Sequence, residues 1–208
     1  MNQNEPIVFV VDDGISIRRS LERLMKSVGL RVETFASAQD FLSRERPVEP
    51  SCIILDVRMP GLSGFDLQDA LAAVNFKIPI IFLTGHGNVP LTVRAMKAGA
   101  VDFIEKPFDD QVLLDAVRKA LEKDRHDKEK EAEINEIRQR IQTLTSREYQ
   151  VFTQVIQGKL NKQIAYDMGI VEKTIKVHRA QVMRKMQADS LASLIQMAGK
   201  AGIDVPKE

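Results

Sequence analysis

Cys52-Ile53-Ile54-Leu55-Asp56-Val57-Arg58-Met59-Pro60-Gly61 is a short apolar run that stops on an acid and then turns. Such a run suits a buried strand and is too short for a helix of ordinary length. Four more β-rich runs share the form: Ile7–Val11, Val32–Phe35, Ile78–Leu83 and Val101–Ile104. Between them lie segments with helical spacing, such as Leu21, Leu24, Met25 and Val28, or Phe65, Leu67 and Leu71. Alternating strands and helices predict the α/β class, a doubly wound five-stranded parallel sheet. Ser37-x-x-Asp40 reads as a capping pair, and Gly29 and Gly99 stand where helices should stop.

Polar residues cluster where these runs end. Asp12-Asp13 follows the first, Asp56 the third, Thr84 the fourth and Lys106 the fifth. That is the rim where open α/β sheets bind ligands, and a strand order of 2-1-3-4-5 would bring the first and third strands together. Three converging aspartates repel one another unless a cation neutralises them. Mg²⁺, held by carboxylates, a carbonyl, waters and a phosphoryl oxygen, fits that demand. With Thr84 as a donor and Lys106 as a point charge, the set has the parts of in-line phosphoryl transfer onto a carboxylate. Taken singly, each of these residues is an ordinary turn or surface residue; the joint pattern carries the reading.

The chain has 208 residues, room for two domains rather than one. Its single cysteine, Cys52, sits in an apolar run as a small buried hydrophobe, so neither a disulfide framework nor a cysteine metal site is available. No apolar run approaches a membrane span, and the Met1-Asn2-Gln3-Asn4 start has no basic leader, which predicts a cytoplasmic protein without a membrane partner. Charge is uneven: residues 1–122 carry 14 basic and 17 acidic side chains, and residues 143–208 carry 10 and 6. The C-terminal part is the candidate for a polyanion partner.

From Asp109 to Thr143 there is neither Gly nor Pro. The apolar stripe Val112, Leu113, Ala116, Val117 and Leu121 fades into Lys123-Asp124-Arg125-His126-Asp127-Lys128, which predicts a fifth helix running on as a solvated connector over 123–142. Ile134, Ile137, Ile141 and Leu144 suit a helix end packing on the next domain better than a coiled coil, which needs more heptads. Beyond it only helices are expected: Ser146–Ile156 opened by a Thr145-x-x-Glu148 capping box, Lys162–Met168, Glu172 to about Met186, and Leu191–Met197. Asn161-Lys162-Gln163-Ile164-Ala165, a turn at Gly169, then Lys173-Thr174-Ile175-Lys176-Val177-His178-Arg179 has helix-turn-helix spacing. Lys162, Lys173, Thr174, Lys176, Val177 and Arg179 are the candidate DNA contacts, while Ile164, Ala165, Ile175 and Val182 pack the helices.

Residues 5–122 resemble the receiver domains of two-component response regulators. The matching stretches are Val10-Val11-Asp12-Asp13, Leu55-Asp56-Val57-Arg58-Met59-Pro60-Gly61, Leu83-Thr84-Gly85 and Glu105-Lys106-Pro107-Phe108. Residues 143–204, with Leu144-Thr145-Ser146-Arg147-Glu148, Asn161-Lys162 and Lys173-Thr174-Ile175-Lys176-Val177-His178, resemble the LuxR-type helix-turn-helix domain. Together they resemble the NarL/FixJ class. Gly85-His86-Gly87 and His178-Arg179-Ala180 are closest to its FixJ branch, which includes regulators of aromatic-hydrocarbon and styrene degradation.

The resemblance implies that a sensor histidine kinase phosphorylates Asp56 and that Asp13, Asp56 and the Arg58 carbonyl ligate Mg²⁺ with support from Asp12. Lys106 would pair with the phosphate, and Lys106-Pro107 would be cis. Phe103 stands at the aromatic switch position that answers a movement of Thr84; read from the strand pattern alone, it is equally a core phenylalanine. The glycine-rich segment Thr84–Pro90 suits a mobile switch loop, with His86 facing solvent. Further implications are a homodimer formed on phosphorylation through the fourth-helix and fifth-strand face, promoter DNA as ligand, and contact with RNA polymerase. Val171 departs from the serine that many relatives have ahead of the recognition helix, so an N-cap is missing. Two other functions share parts of this pattern, a Mg²⁺-dependent phosphohydrolase using Asp56 and a scaffold whose basic domain binds protein. The first lacks a visible general acid, and the second is separated from DNA binding by salt dependence.

Overall fold

The computed structural model describes residues 5–85 and 89–203. Five strands, β1 (Ile7–Val11), β2 (Arg31–Phe35), β3 (Ser51–Asp56), β4 (Ile80–Thr84) and β5 (Asp102–Glu105), alternate with α1 (Ile15–Ser27), α2 (Ala38–Leu42), α3 (Gly64–Ala73), α4 (Val89–Lys97) and α5 (Asp110–Gln142). All pairings are parallel, in the order β2-β1-β3-β4-β5. The fold class expected from the sequence is the one observed.

Side chains alternate across a strand, so each run supplies two layers. Ile7, Phe9, Val11, Ile53, Leu55, Ile80 and Phe82 face one core with Phe41, Phe65, Leu67, Leu71 and Ala95 of α2–α4. Val8, Val10, Cys52, Ile54, Ile81 and Leu83 face the other, with Leu21 and Met25 of α1 and Leu113, Val117 and Leu121 of α5. Every residue of β1, β3 and β4 is buried, as expected of a sheet covered on both faces. Cys52 is buried among them, and burial pushes its thiol pKa up, which leaves it inert.

Boundaries moved where backbone chemistry outweighs hydropathy. β4 starts at Ile80 rather than Ile78. Pro79 has no N–H for the ladder, although its carbonyl accepts from the Ile53 amide at 2.9 Å. α4 begins at Val89, so Val89 and Pro90 belong to a helix and not to the glycine-rich loop. His86, Gly87 and Asn88 of that loop, residues 1–4 and residue 204 of the expected second domain lie outside the described residues.

The chain divides into two compact units, Met1–Lys128 and Glu129–Glu208, and the division falls inside α5. The reading of Lys123–Lys128 as solvated holds for the exposed Lys123, Arg125, His126 and Asp127 but needs correction at Asp124 and Lys128. Asp124 is only 2% exposed. Its carboxylate accepts from the Ser51 amide at 2.7 Å and from the Ser51 hydroxyl at 3.3 Å. Lys128 Nζ reaches Asp124 at 2.8 Å and donates to the Glu49 carbonyl at 2.6 Å. Val117, Leu121, Asp124 and Lys128 recur at spacings of four, three and four. The core-facing stripe of the helix therefore continues in charged residues, which hydropathy alone cannot reveal.

The second unit comprises the end of α5, α6 (Ser146–Ile156), α7 (Asn161–Met168), α8 (Glu172–Met186) and α9 (Leu191–Ala201). Ile137, Ile141 and Leu144 pack into its core, as a helix end docked on its own domain, around Val151, Phe152, Val155, Ile164, Ile175, Val182 and Leu194. The capping box at α6 is present in both directions: Thr145 Oγ1 accepts from the Glu148 amide, and Glu148 accepts from the Thr145 amide. α9 runs four residues beyond the expected Met197 and ends at Gly202 in the left-handed conformation. Among the described residues, no helix is long and apolar enough to cross a membrane.

Two stability predictions follow from these contacts. Asp124→Ala strands a buried amide and a half-buried ammonium, and should cost the first unit about 2–4 kcal/mol, read as a lowered urea midpoint by circular dichroism. Asp124→Asn should cost less. In the second unit the Lys185 ammonium and the Thr145 amide hold the Glu148 carboxyl below its ordinary value of 4.5. A depressed carboxylate contributes stability that is present above that ordinary value and is lost as pH falls through the native one. Glu148→Gln should therefore flatten the acid limb of unfolding. Both tyrosines, Tyr149 and Tyr166, lie in this unit, so tyrosine fluorescence reports on it alone.

Candidate functional site

Four strands carry the site residues to one end of the sheet. β1 hands over to Asp12, β3 ends on Asp56, β4 ends on Thr84, and Lys106 follows β5. Asp12 is 3% exposed, Asp56 9% and Thr84 1%. The Lys106 ammonium lies between the two acids, 2.8 Å from Asp12 Oδ2 and 2.7 Å from Asp56 Oδ1. The Gly14 amide donates to Asp12 Oδ1 at 2.8 Å, and the Arg58 amide donates to Asp56 Oδ2 at 2.8 Å. All four carboxylate oxygens are thus engaged.

The electrostatics oppose each other. Burial raises the Asp56 pKa, and the Lys106 hydrogen bond and charge pull it back only in part. Burial also works to lower the Lys106 pKa, but the hydrogen bonds to Asp12 and Asp56 outweigh it and leave that pKa raised. The Lys106-Pro107 bond is cis, as the resemblance implied. The Lys106 amide donates to the Thr84 carbonyl at 2.7 Å, tying the ends of β4 and β5 together.

Asp13 is adjacent in the chain, but its side chain is exposed and makes no hydrogen bond to Asp12, Asp56 or Lys106. Among the described residues, no three His, Cys, Asp or Glu side chains gather into a set that would hold a metal alone. The donors at this rim are hard oxygens, the carboxylates of Asp12, Asp13 and Asp56 and the Arg58 carbonyl in the turn after β3. They fit Mg²⁺, which takes one or two carboxylates and keeps several waters. Phe103 is half-buried, its ring 6.1 Å from that of Phe82.

Two residues of this site have no prominence in the sequence. Arg18 Nη1 donates to the Asp12 carbonyl at 2.6 Å, anchoring α1 to the turn that carries the acid. Gly64 opens α3 so close to β3 that a Cβ there would lie 2.3 Å from the Asp56 carbonyl oxygen. The visible signal was a glycine at the head of a well-capped helix, where Ser63 and Asp66 form a capping box and alanine has the better propensity.

The basic residues lie on α7 and α8, which are joined through Gly169 at φ +65°, a turn that disfavours any other residue. Ile164, Ala165, Ile175 and Val182 are buried between the helices, as expected from their spacing. Lys162, Lys173, Lys176 and Val177 are exposed, and Thr174 and Arg179 are half-buried. Lys176 pairs with Glu172 at 3.3 Å on the solvent face, and Arg179 donates to Asn161 Oδ1 at 3.1 Å. Val171 precedes α8 without a side-chain cap; Glu172 supplies a negative charge to its first turn instead.

A doubly wound sheet with this acid and lysine cluster, in one chain with a helix-turn-helix, defines a response regulator with a DNA-binding output domain. The chain belongs to that family: residues 8–118 match the response regulator receiver domain, and residues 142–198 match the luxR family of bacterial regulatory proteins. Over 197 residues it is 53% identical to Nodulation protein W of Bradyrhizobium diazoefficiens, covering 95% of this chain and 87% of that one. Over 196 residues it is 46% identical to the transcriptional regulatory protein FixJ of Azorhizobium caulinodans, covering 94% and 93%. The solved structure of the response regulator StyR is 46% identical with a TM-score of 0.86, covering 94% of this chain and 99% of that one. The chain is a two-component response regulator of the NarL/FixJ class, built for phosphorylation-dependent control of transcription.

Gly64→Ala should displace the Asp56 backbone. We expect a stability loss of about 1–3 kcal/mol and slower phosphate incorporation from a small acyl phosphate, measured by intact-mass spectrometry on folded protein.

Proposed function

We propose that Asp56 is the phosphoacceptor, that residues 5–122 form the receiver, 123–142 a helical linker and 143–204 the output domain, and that the phosphate controls promoter binding. The observation that carries this reading is the Lys106 ammonium bridging Asp12 and Asp56, which places a cation against the proposed nucleophile. An Asp56 carboxylate oxygen attacks phosphorus as the bond to the kinase phosphohistidine breaks, leaving an acyl phosphate on Asp56 and returning the histidine to the kinase. Lys106 then pairs with a phosphoryl oxygen, and the Thr84 hydroxyl donates to another. Asp13, Asp56 and the Arg58 carbonyl would hold Mg²⁺, with Asp12 in support. When bound, the ion offsets charge on the transferring group. Apart from gaining and losing its own phosphate the protein has no enzymatic role.

The signal leaves through Thr84 and Phe103 to the α4 and β5 face, where phosphorylated copies pair. Exposed Val89, Val93 and Met96 on α4 support that surface. The dimer reads paired half-sites in double-stranded promoter DNA through Lys162, Lys173, Thr174, Lys176, Val177 and Arg179, and acts on RNA polymerase in the cytoplasm.

The test combines an acyl phosphate and Mg²⁺ with the full chain. One phosphate per chain, none on Asp56→Asn, and a rise in DNA affinity with dimer formation are expected. Phosphate on another residue would remove the acceptor assignment, and an unchanged DNA affinity would remove the control. Fast turnover of external phosphomonoesters would favour the phosphohydrolase reading.

A further inference from the structure

We propose that Arg179 anchors the DNA backbone instead of reading a base, and that Asn161 is the residue that positions it. This rests on the reading of α7 and α8 as the DNA face and assigns a division of labour within it. Ile175, Val182 and Met186 are fully buried and mark the inner stripe of α8. At 3.6 residues per turn, Arg179, four residues after Ile175 and three before Val182, falls on the flank of that stripe. Lys173, Lys176, Val177 and Ala180 are exposed and hold the outward face that would enter a groove.

Arg179 Nη1 donates to Asn161 Oδ1 at 3.1 Å, and Asn161 is the first residue of α7. The bond uses one of the five guanidinium N–H donors and restricts the rotamers of a long side chain. The group is thereby held beside the start of α7, next in sequence to exposed Lys162. In a helix-turn-helix the first helix crosses the phosphate backbone while the second enters the groove. A guanidinium on the α7 side of α8 therefore meets phosphate oxygens, for which its planar fork is suited. Lys176, Val177 and the small Ala180 are left to face base edges.

The experiment uses the phosphorylated full chain with a duplex selected from a randomised pool and a scrambled duplex of equal length. Arg179→Ala should weaken binding to both by the same factor, about three- to tenfold, lower the salt slope by about one, and leave the selected base preferences unchanged. Arg179→Lys should restore most of the slope. Asn161→Ala should reproduce part of the loss, and the double variant should be no weaker than Arg179→Ala alone. Thermal melts identify any variant that has lost its fold, for which Arg179→Lys and Asn161→Ala carry the test. A changed base preference at one position would overturn the assignment in favour of base readout, and a loss of affinity with an unaltered salt slope would overturn it in favour of a packing role. Lys176→Ala is the control for the parent reading. If Lys176→Ala and Arg179→Ala both leave DNA affinity unchanged, the DNA face itself is wrong; if only Lys176 matters, this inference alone fails.

Discussion

The receiver is organised around one ammonium group. Asp12 and Asp56 end adjacent parallel strands, so the sheet forces two carboxylates together where little water reaches them. Burial raises the Asp56 pKa, and the charge of Asp12 adds to the rise. Lys106 answers both acids at once, 2.8 Å from one and 2.7 Å from the other. A buried pair of this kind contributes little net stability, because desolvation consumes most of the Coulombic gain. What it secures is geometry, since the strands β1, β3 and β5 must finish at one level for a single Nζ to reach both oxygens. On the proposed acceptor role of Asp56, the same ammonium would stand where phosphoryl charge arrives, so the contact that holds the resting site would also be available to hold its product.

The opposite end of β3 is fastened by a related device with a different outcome. Ser51 opens the strand, and Asp124 takes its amide at 2.7 Å from the far reach of α5. The strand that ends on Asp56 is thus pinned at both ends by a carboxylate, to Lys106 at one and to Lys128 through Asp124 at the other. Gly64 sets the third constraint, because α3 packs against the Asp56 carbonyl at a distance that no Cβ tolerates. Asp56 is thereby held by the Lys106 ammonium, by the Arg58 amide and by the close packing of α3.

Sequence revealed those features that depend on alternation and on residues placed at strand ends. The alternation of buried strands with helices, the rim holding Asp12, Asp56, Thr84 and Lys106, and the helix-turn-helix spacing were all legible. Features that depend on a polar group facing inward were hidden. Asp124 and Lys128 continue an apolar stripe with charged residues, so hydropathy placed them in water although the helix turns them toward β3. Arg18 acts through its contact with a backbone carbonyl, and no side-chain pattern announces a partner of that kind. Gly64 is set by a close approach between elements far apart in space until the chain folds.

The output helix shows how a missing local interaction is made good within its own domain. Val171 offers no oxygen to the first amides of α8, so a cap normally worth about 1 kcal/mol is absent. Glu172 supplies a favourable charge to the same turn and pairs with Lys176 one turn on. On the inner side, fully buried Ile175 packs the first turn into the core, and Arg179 near mid-helix ties α8 to Asn161 of α7.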